Sequence, residues 1–271
     1  MSYLSRGEGP VPEGLWDDID DAVVSAARKT LVGRRFLHVF GPLGIGAESI
    51  NIDDVDGVDE EYDDGLMVTT GRKFVEIPTI YDDFTLLAKD LEYSAKYGYP
   101  IDLSKAMASA EAISMKEDKL IFFGSKKQGY EGLLNASGVN KIKKSNWKEG
   151  ENAFADVAAA IETLVSKGVF GTYSLIVSPD LYMQMQRIQP GTGLMEIDRV
   201  SKLVKGHIYR APVLGSGKAA LVCAESRNMD LVIGQDMAAA YLEQVDLNHV
   251  FRLLETVLLR IKRAQSIVLF T

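Results

Sequence analysis

Cysteine, histidine and tryptophan are scarce in this 271-residue chain, at one, three and two copies. A lone Cys223 cannot close an internal disulfide, and its place in the apolar run Ala219 to Ala224 suits a small buried hydrophobe better than a nucleophile. His38, His207 and His249 have no metal-ligand spacing to one another or to Cys223, which argues against a metal enzyme. No stretch of about 18 apolar residues exists to span a bilayer, so no membrane role is expected. The start, Met1 to Glu8, lacks the apolar segment and cleavage site of a secretory signal, and the cytoplasm is the expected location.

Base is also missing where acid is dense. Asp53 to Asp64 carries eight acids and no lysine or arginine; without it, thirty acids face thirty bases. The net charge of -8 is therefore local. With no basic excess, nucleic-acid binding has little support, and the one basic cluster, Lys141, Lys143, Lys144 and Lys148 around Trp147, reads as a solvated loop. The acidic stretch fails as a calcium loop, because placing Gly57 at the loop glycine puts Ile52 at the first ligand position.

Catalytic motifs are absent too. Gly215-Ser-Gly-Lys218 imitates a phosphate loop, but Pro212 stands at its leading glycine and Ala219 at its hydroxyl, so it reads as a hairpin turn. Gly41-Pro-Leu-Gly-Ile-Gly46 has the wrong order for a dinucleotide fingerprint, and no Gly-x-Ser-x-Gly elbow occurs. Glu117 and Asp118 are neighbours in a helical segment and point apart, unlike a converging acid-base pair. Catalysis and cofactors are not expected.

What is present is pattern. Trp16, Ile19, Val23, Ala26, Ala27 and Leu31 fall at helical spacing and form an apolar stripe that must dock on something. A long helix is expected from Asp102 or Ser104 to Phe123, with Ala106, Met107, Ala110, Ile113, Leu120 and Ile121 inward and Gly124 as its stop. Another runs from Asn152 to Lys167, a third opens at Ser178-Pro179-Asp180, and a fourth spans Glu196 to Lys205. Strands are expected at Tyr173 to Val177, His207 to Val213, Ala219 to Ala224, Asp230 to Ile233, Ala238 to Glu243 and Ser266 to Phe270. Val250 to Lys262 has helix formers, but the even positions of Arg252, Thr256, Arg260 and Lys262 favour a strand. Strand-forming segments on both sides of the central helices point to an α+β body with discontinuous domains.

Leu31-Val-Gly-Arg-Arg-Phe36 running into Gly41-Pro-Leu-Gly44, together with Ile233-Gly-Gln-Asp-Met237, resembles the matching segments of encapsulins, bacterial shell proteins that assemble around an enzyme cargo. Ile77 to Phe84, Glu117 to Gly124, Gly129 to Leu133, Gly171 to Pro179, Asn228 to Ile233 and Leu258 to Arg263 extend the likeness in one order along nearly the whole chain. Leu31 to Gly44 and Asn228 to Tyr241 are most similar to encapsulins with ferritin-like, iron-oxidising cargo.

The resemblance implies the fold of tailed-phage major capsid proteins. It places an arm and docking helix at 1–40, an extended loop at 47–74, a peripheral domain with its spine helix at 75–124 and 236–271, and an axial domain at 125–235. It implies a homo-oligomeric icosahedral shell, no catalysis, and a cargo protein held through a C-terminal targeting peptide. Arg34, Phe36, His38, Asp236, Met237, Ala239 and Tyr241 correspond to the peptide site, His38 standing where some members have an acid. The loop Gln189, Pro190, Gly191, Thr192, Gly193 would line the fivefold pore. Flavin-binding members have a tryptophan about where Lys89 falls, so no flavin is expected. A phage capsid of the same fold and a dye-decolorising peroxidase cargo are the alternatives.

Overall fold

In chain order, α1 (Glu13–Thr30) precedes a 3-10 turn at Gly33–Arg35 and the strands β1 (Val39–Phe40) and β2 (Ser49–Asn51). The hairpin β3 (Asp59–Asp63) and β4 (Leu66–Thr70) leads through β5 (Phe74–Glu76) and β6 (Thr79–Leu86) into α2 (Ala88–Tyr97) and α3 (Ser104–Phe123). Then come β7 (Asn140–Ile142), α4 (Asn152–Ser166), β8 (Tyr173–Val177), α5 (Pro179–Met185), α6 (Glu196–Leu203) and β9 (Ile208–Arg210). The last third holds β10 (Ala219–Cys223), β11 (Met229–Ile233), β12 (Ala238–Val245), β13 (Asn248–Ile261) and β14 (Ile267–Phe270). This computed structural model describes residues 3–7, 9, 11, 13–52, 59–189, 191 and 193–271.

Two sheets organise the chain. In the first, β13 is the axis: β6 pairs antiparallel along one side, while β12 and then β11 pair antiparallel along the other, with β1 parallel to β11 outside. The even-numbered face expected for β13 is a polar ladder. Arg252 bonds Asp83 of β6 at 2.7 and 2.8 Å, Thr256 accepts from the Gln235 amide, and Arg260 bonds Asp230 of β11 at 2.8 and 2.7 Å. A strand satisfies these cations across its neighbours, which is why extended structure wins over helix propensity here.

The second sheet has the order β7-β14-β10-β8-β9, covered by α4 to α6. Ser178 and Pro179 open α5 as expected. Glu196 closes the N-terminus of α4 from a distance, accepting from the Ala153 and Phe154 amides that a helix leaves unpaired. Trp147 belongs to this core rather than to a solvated loop. It is fully buried edge-on against Phe270, and its indole donates to Asp156 at 2.8 Å.

Strand β14 pairs with β7 and β10, while β11 pairs with β13. Two other expectations need correction. Residues 215–218 are not a hairpin turn, because β9 and β10 flank β8 instead of pairing together; the turn is held by Asp180, which accepts from Ser216 and the Gly217 amide. The strand expected at His207 to Val213 shrinks to β9, since Pro212 has no amide to donate and starts a 3-10 turn.

The loop expected at 47–74 is a double hairpin: β2 pairs β5 at its base and β3 pairs β4 beyond, turning at Asp64-Gly65. Residues 53–58 of this stretch lie outside the described residues. In α3 the expected Ala106, Ala110, Ile113 and Ile121 are buried, Met107 and Leu120 are half-buried, and Glu117 and Asp118 are buried as well. Gly124 ends the helix at φ 59, where an added Cβ would stand 2.2 Å from the Tyr130 carbonyl oxygen.

Candidate functional site

The apolar stripe of α1 (Trp16, Ile19, Val23 and Ala26) lies in one core with Ala110 and Ile113 of α3 and with Ala239, Phe251 and Leu253. Past Thr30 the chain must turn sharply, and α3 supplies the means. Asp118 accepts from the Val32 amide at 3.0 Å and the Gly33 amide at 2.8 Å. Gly33 fits because it has no side chain: a Cβ would sit 2.4 Å from Ile121 Cδ1.

One residue on, Arg34 enters a cage of acids. Glu117 takes its Nη2 at 2.7 Å and Nε at 3.0 Å, Glu255 of β13 takes Nη2 at 2.7 Å, and Asp236 takes Nη1 at 2.7 Å. Glu117 and Glu255 are completely buried, whereas Asp236 is 61% exposed. Glu117 and Asp118, expected to point apart, both serve the same turn: Asp118 takes its amides and Glu117 the Arg34 guanidinium. Burial, then the neighbouring Glu117 charge, pushes the Glu255 carboxyl well above the usual range. Burial also lifts Asp118 to about 6, against the opposing pull of the Gly33 and Val32 amides. Burial works against the Arg34 charge, yet bonds and charges from Glu117 and Glu255 more than offset it and raise its pKa.

The two segments that stand far apart in sequence meet here through the backbone. β1 pairs β11 with Val39 opposite Leu231, then Leu43 donates to the Ile233 carbonyl at 3.0 Å and Gly44 to the Gly234 carbonyl at 2.8 Å. Beside this seam lies a groove of about 390 Å³, with Val23, Ala27, Leu31 and Met237 as its apolar wall and Arg28, Arg35 and Asp236 as polar edges.

The seven expected peptide-site residues fall in three places. Arg34, Asp236 and Met237 line the groove, although Arg34 is committed to its three carboxylates. Phe36 faces the other way, packed 6.3 Å from Phe122 and 5.5 Å from Tyr209, with His38 exposed nearby in sequence. Ala239 is fully buried, and Tyr241 packs edge-on against Phe251 beneath the N-terminal segment. Sequence reasoning missed the groove wall on α1, for which the only signal was the breadth of its apolar stripe. It also missed Glu255, an acid inside an apolar strand.

In the expected pore loop, Pro190 and Thr192 lie outside the described residues. Gln189 is buried, donating to the Gly150 carbonyl and accepting from Arg199, and of the described members Gly191 and Gly193 are exposed. Ile188 and Leu194 on the loop stem are 65% and 48% exposed. Among the described residues no three His, Cys, Asp or Glu side chains are grouped to hold a metal, and no helix is long and apolar enough to cross a membrane. Cys223 is buried, and desolvation raises its thiol pKa.

The family model Linocin_M18, described as encapsulating protein for peroxidase, matches residues 1–258. The type 1 encapsulin shell protein EncA of Myxococcus xanthus is 36% identical over 98% of this chain and 95% of its own length. A diheme-cytochrome-encapsulin shell fusion protein of Kuenenia stuttgartiensis is 40% identical over 93% of this chain and 71% of its own. Among solved structures, a virus-like particle from Pyrococcus furiosus superposes with TM-score 0.77 at 21% identity, covering 95% of this chain and 99% of that one. The capsid of Myoviridae phage XM1 gives TM-score 0.62 at 14% identity, covering 88% and 90%. The fold is thus the α+β fold of tailed-phage capsids, and with its whole-length likeness to EncA the chain belongs to the encapsulin family.

Proposed function

We propose that this chain is the non-catalytic subunit of a closed icosahedral shell, located in the cytoplasm, that encloses a cargo protein. One observation carries the reading. On the hairpin and its base, Tyr62, Leu66, Met67, Val68 and Phe74 are 56 to 70% exposed. So much apolar surface on a projecting ribbon is uncovered within one subunit and finds cover only against another copy. Two-stranded ribbons are marginal alone, so such contacts also hold the ribbon in shape. The exposed stems of the 189–193 loop, Ile188 and Leu194, suit a second contact around a symmetry axis, with Gly191 and Gly193 at the opening.

The groove beside α1 is the proposed seat of a C-terminal cargo peptide, whose apolar side chains would enter between Val23, Ala27 and Met237. The cargo is proposed to be a ferritin-like iron-oxidising protein, supported by the likeness of residues 31–44 and 228–241 to encapsulins with that cargo. Peroxidase, named in the family description, is the competing choice. Co-expression of the chain with each candidate cargo, its C-terminal tail intact or removed, tests this. Tail-dependent co-purification of the ferritin-like protein supports the reading, and selective capture of the peroxidase overturns it. Assembly itself is tested by a Leu66→Asp, Val68→Asp variant, which should give folded subunits and no particles.

A further inference from the structure

The N-terminal segment sits on the outer edge of β12 without forming a strand. The Tyr241 amide donates to the Leu4 carbonyl at 3.1 Å, and Arg6 Nε donates to the Ala239 carbonyl at 2.9 Å. These two groups of alternate residues face away from β13, as on any sheet edge awaiting another strand. Among the described residues, the segment meets this edge with one backbone bond and one side-chain bond.

Arg6 anchors the rest. Both its terminal nitrogens bond the Asp20 carboxylate at 2.7 Å, and its guanidinium lies 4.9 Å over the Trp16 ring. Gly9 lies flat on Tyr241, where a Cβ would stand 3.0 Å from the ring. Between the anchors, Ser5 has φ 47, a left-handed conformation that is strained for a side-chain-bearing residue. The pair Arg6 and Asp20 is also partly open to water, with side chains 28% and 41% exposed, so the segment is held but not locked.

From this geometry we propose that residues 4–7, with Gly9, are an internal stand-in for an extended peptide, occupying a site formed by the β12 edge, Asp20 and Trp16. The external ligand is a peptide that offers a backbone carbonyl to Tyr241 and, two residues later, an arginine to Asp20. Arginine meets a planar carboxylate and an aromatic face with two-pronged geometry that lysine lacks. Asp17, Asp18 and Asp21, all exposed on the first turns of α1, add a field that favours a basic peptide. Exchange with the stand-in lowers the apparent affinity of the external peptide by the fraction of subunits whose edge is open. This inference rests on the reading that the face beside α1 receives cargo peptides, and it gives that face a second, basic-residue subsite.

The test uses the full-length chain and a fluorescein-labelled peptide with the sequence of residues 3–9, followed by anisotropy. Replacing Arg6 by glutamine frees the edge, so the variant Arg6→Gln should bind the peptide about tenfold more tightly than the original chain. Adding Asp20→Asn should remove that gain, and a peptide with glutamine for its arginine should not bind. Equal binding by the original chain and Arg6→Gln, or binding indifferent to Asp20→Asn, overturns the proposal; where Asp20→Asn does not fold, Asp20→Ser replaces it. Cargo capture without peptide exchange would refute this site alone, and peptide exchange without cargo capture would refute the cargo reading alone.

Discussion

Replacing Arg34 with alanine removes the one cation that Glu117 and Glu255 share, each at 2.7 Å and each fully buried. Breaking a buried ion pair from one side costs about 3–5 kcal/mol, because the remaining charge has neither partner nor water. In a chain of this size that corresponds to a fall in melting temperature of roughly 10 °C. Glu255 is already pushed above the usual carboxyl range by burial, and losing Arg34 pushes it further. A carboxyl whose folded pKa is raised is most favourable below its unfolded value and loses stability as pH rises. The deficit of Arg34→Ala should therefore be larger at pH 8 than at pH 5, and adding Glu255→Gln should recover part of it at pH 8. Thermal unfolding followed by tryptophan fluorescence at fixed protein concentration reads all three. A loss under 2 °C at pH 8, or an equal loss at both pH values, would refute the idea that Arg34 is a structural tie. It would return the residue to the role of a free anchor for cargo.

Three further changes follow from the same junction and core. Asp118, lifted to about 6, contributes stability in full below pH ~4 and loses it as pH rises through 6, a swing of up to about 3 kcal/mol; Asp118→Asn should flatten the urea-unfolding pH profile between 4 and 7. Gly33→Ala forces a methyl to within 2.4 Å of Ile121 Cδ1 and should cost about 1–3 kcal/mol by chemical denaturation, with α1 affected first in hydrogen exchange. Trp147→Phe keeps an edge-on ring on Phe270 but abandons the bond to Asp156, and should lower stability by about 2 kcal/mol while leaving the hairpin unaffected.

Local signals in the sequence carried far where packing is periodic. The stripe from Trp16 to Leu31 and the Ser178-Pro179 start specify α1 and α5 because apolar spacing and a proline in the first turn are local physics. The even-numbered polar residues of β13 were a better guide than its helix propensities, since each finds a partner one strand away. Helix α2 escaped notice because none of its residues is buried; Gly98 in a left-handed conformation closes it, and Tyr93 stacks on Tyr99 and packs tilted against Tyr97 outside the core. The placement of β14 beside β7 and β10 depends on contacts more than 40 residues apart in sequence, which no local pattern encodes.

The site was legible in part for the same reason. Residues 31–44 and 233–237 could be matched to a family, but their junction through Glu117, Asp118 and Glu255 could not be read. Acids on a helix or strand normally signal solvent, and only tertiary structure turns these toward Arg34 and the Gly33 turn.

The central claim is that exposed ribbons such as Leu66 to Val68 are covered by neighbouring copies in a closed shell. Mass photometry of the purified chain at near-neutral pH, with negative-stain imaging of the same sample, measures this directly. Uniform hollow particles with masses that are large multiples of 29.8 kDa are predicted. A single species at the subunit mass, folded and free of particles, would contradict the account.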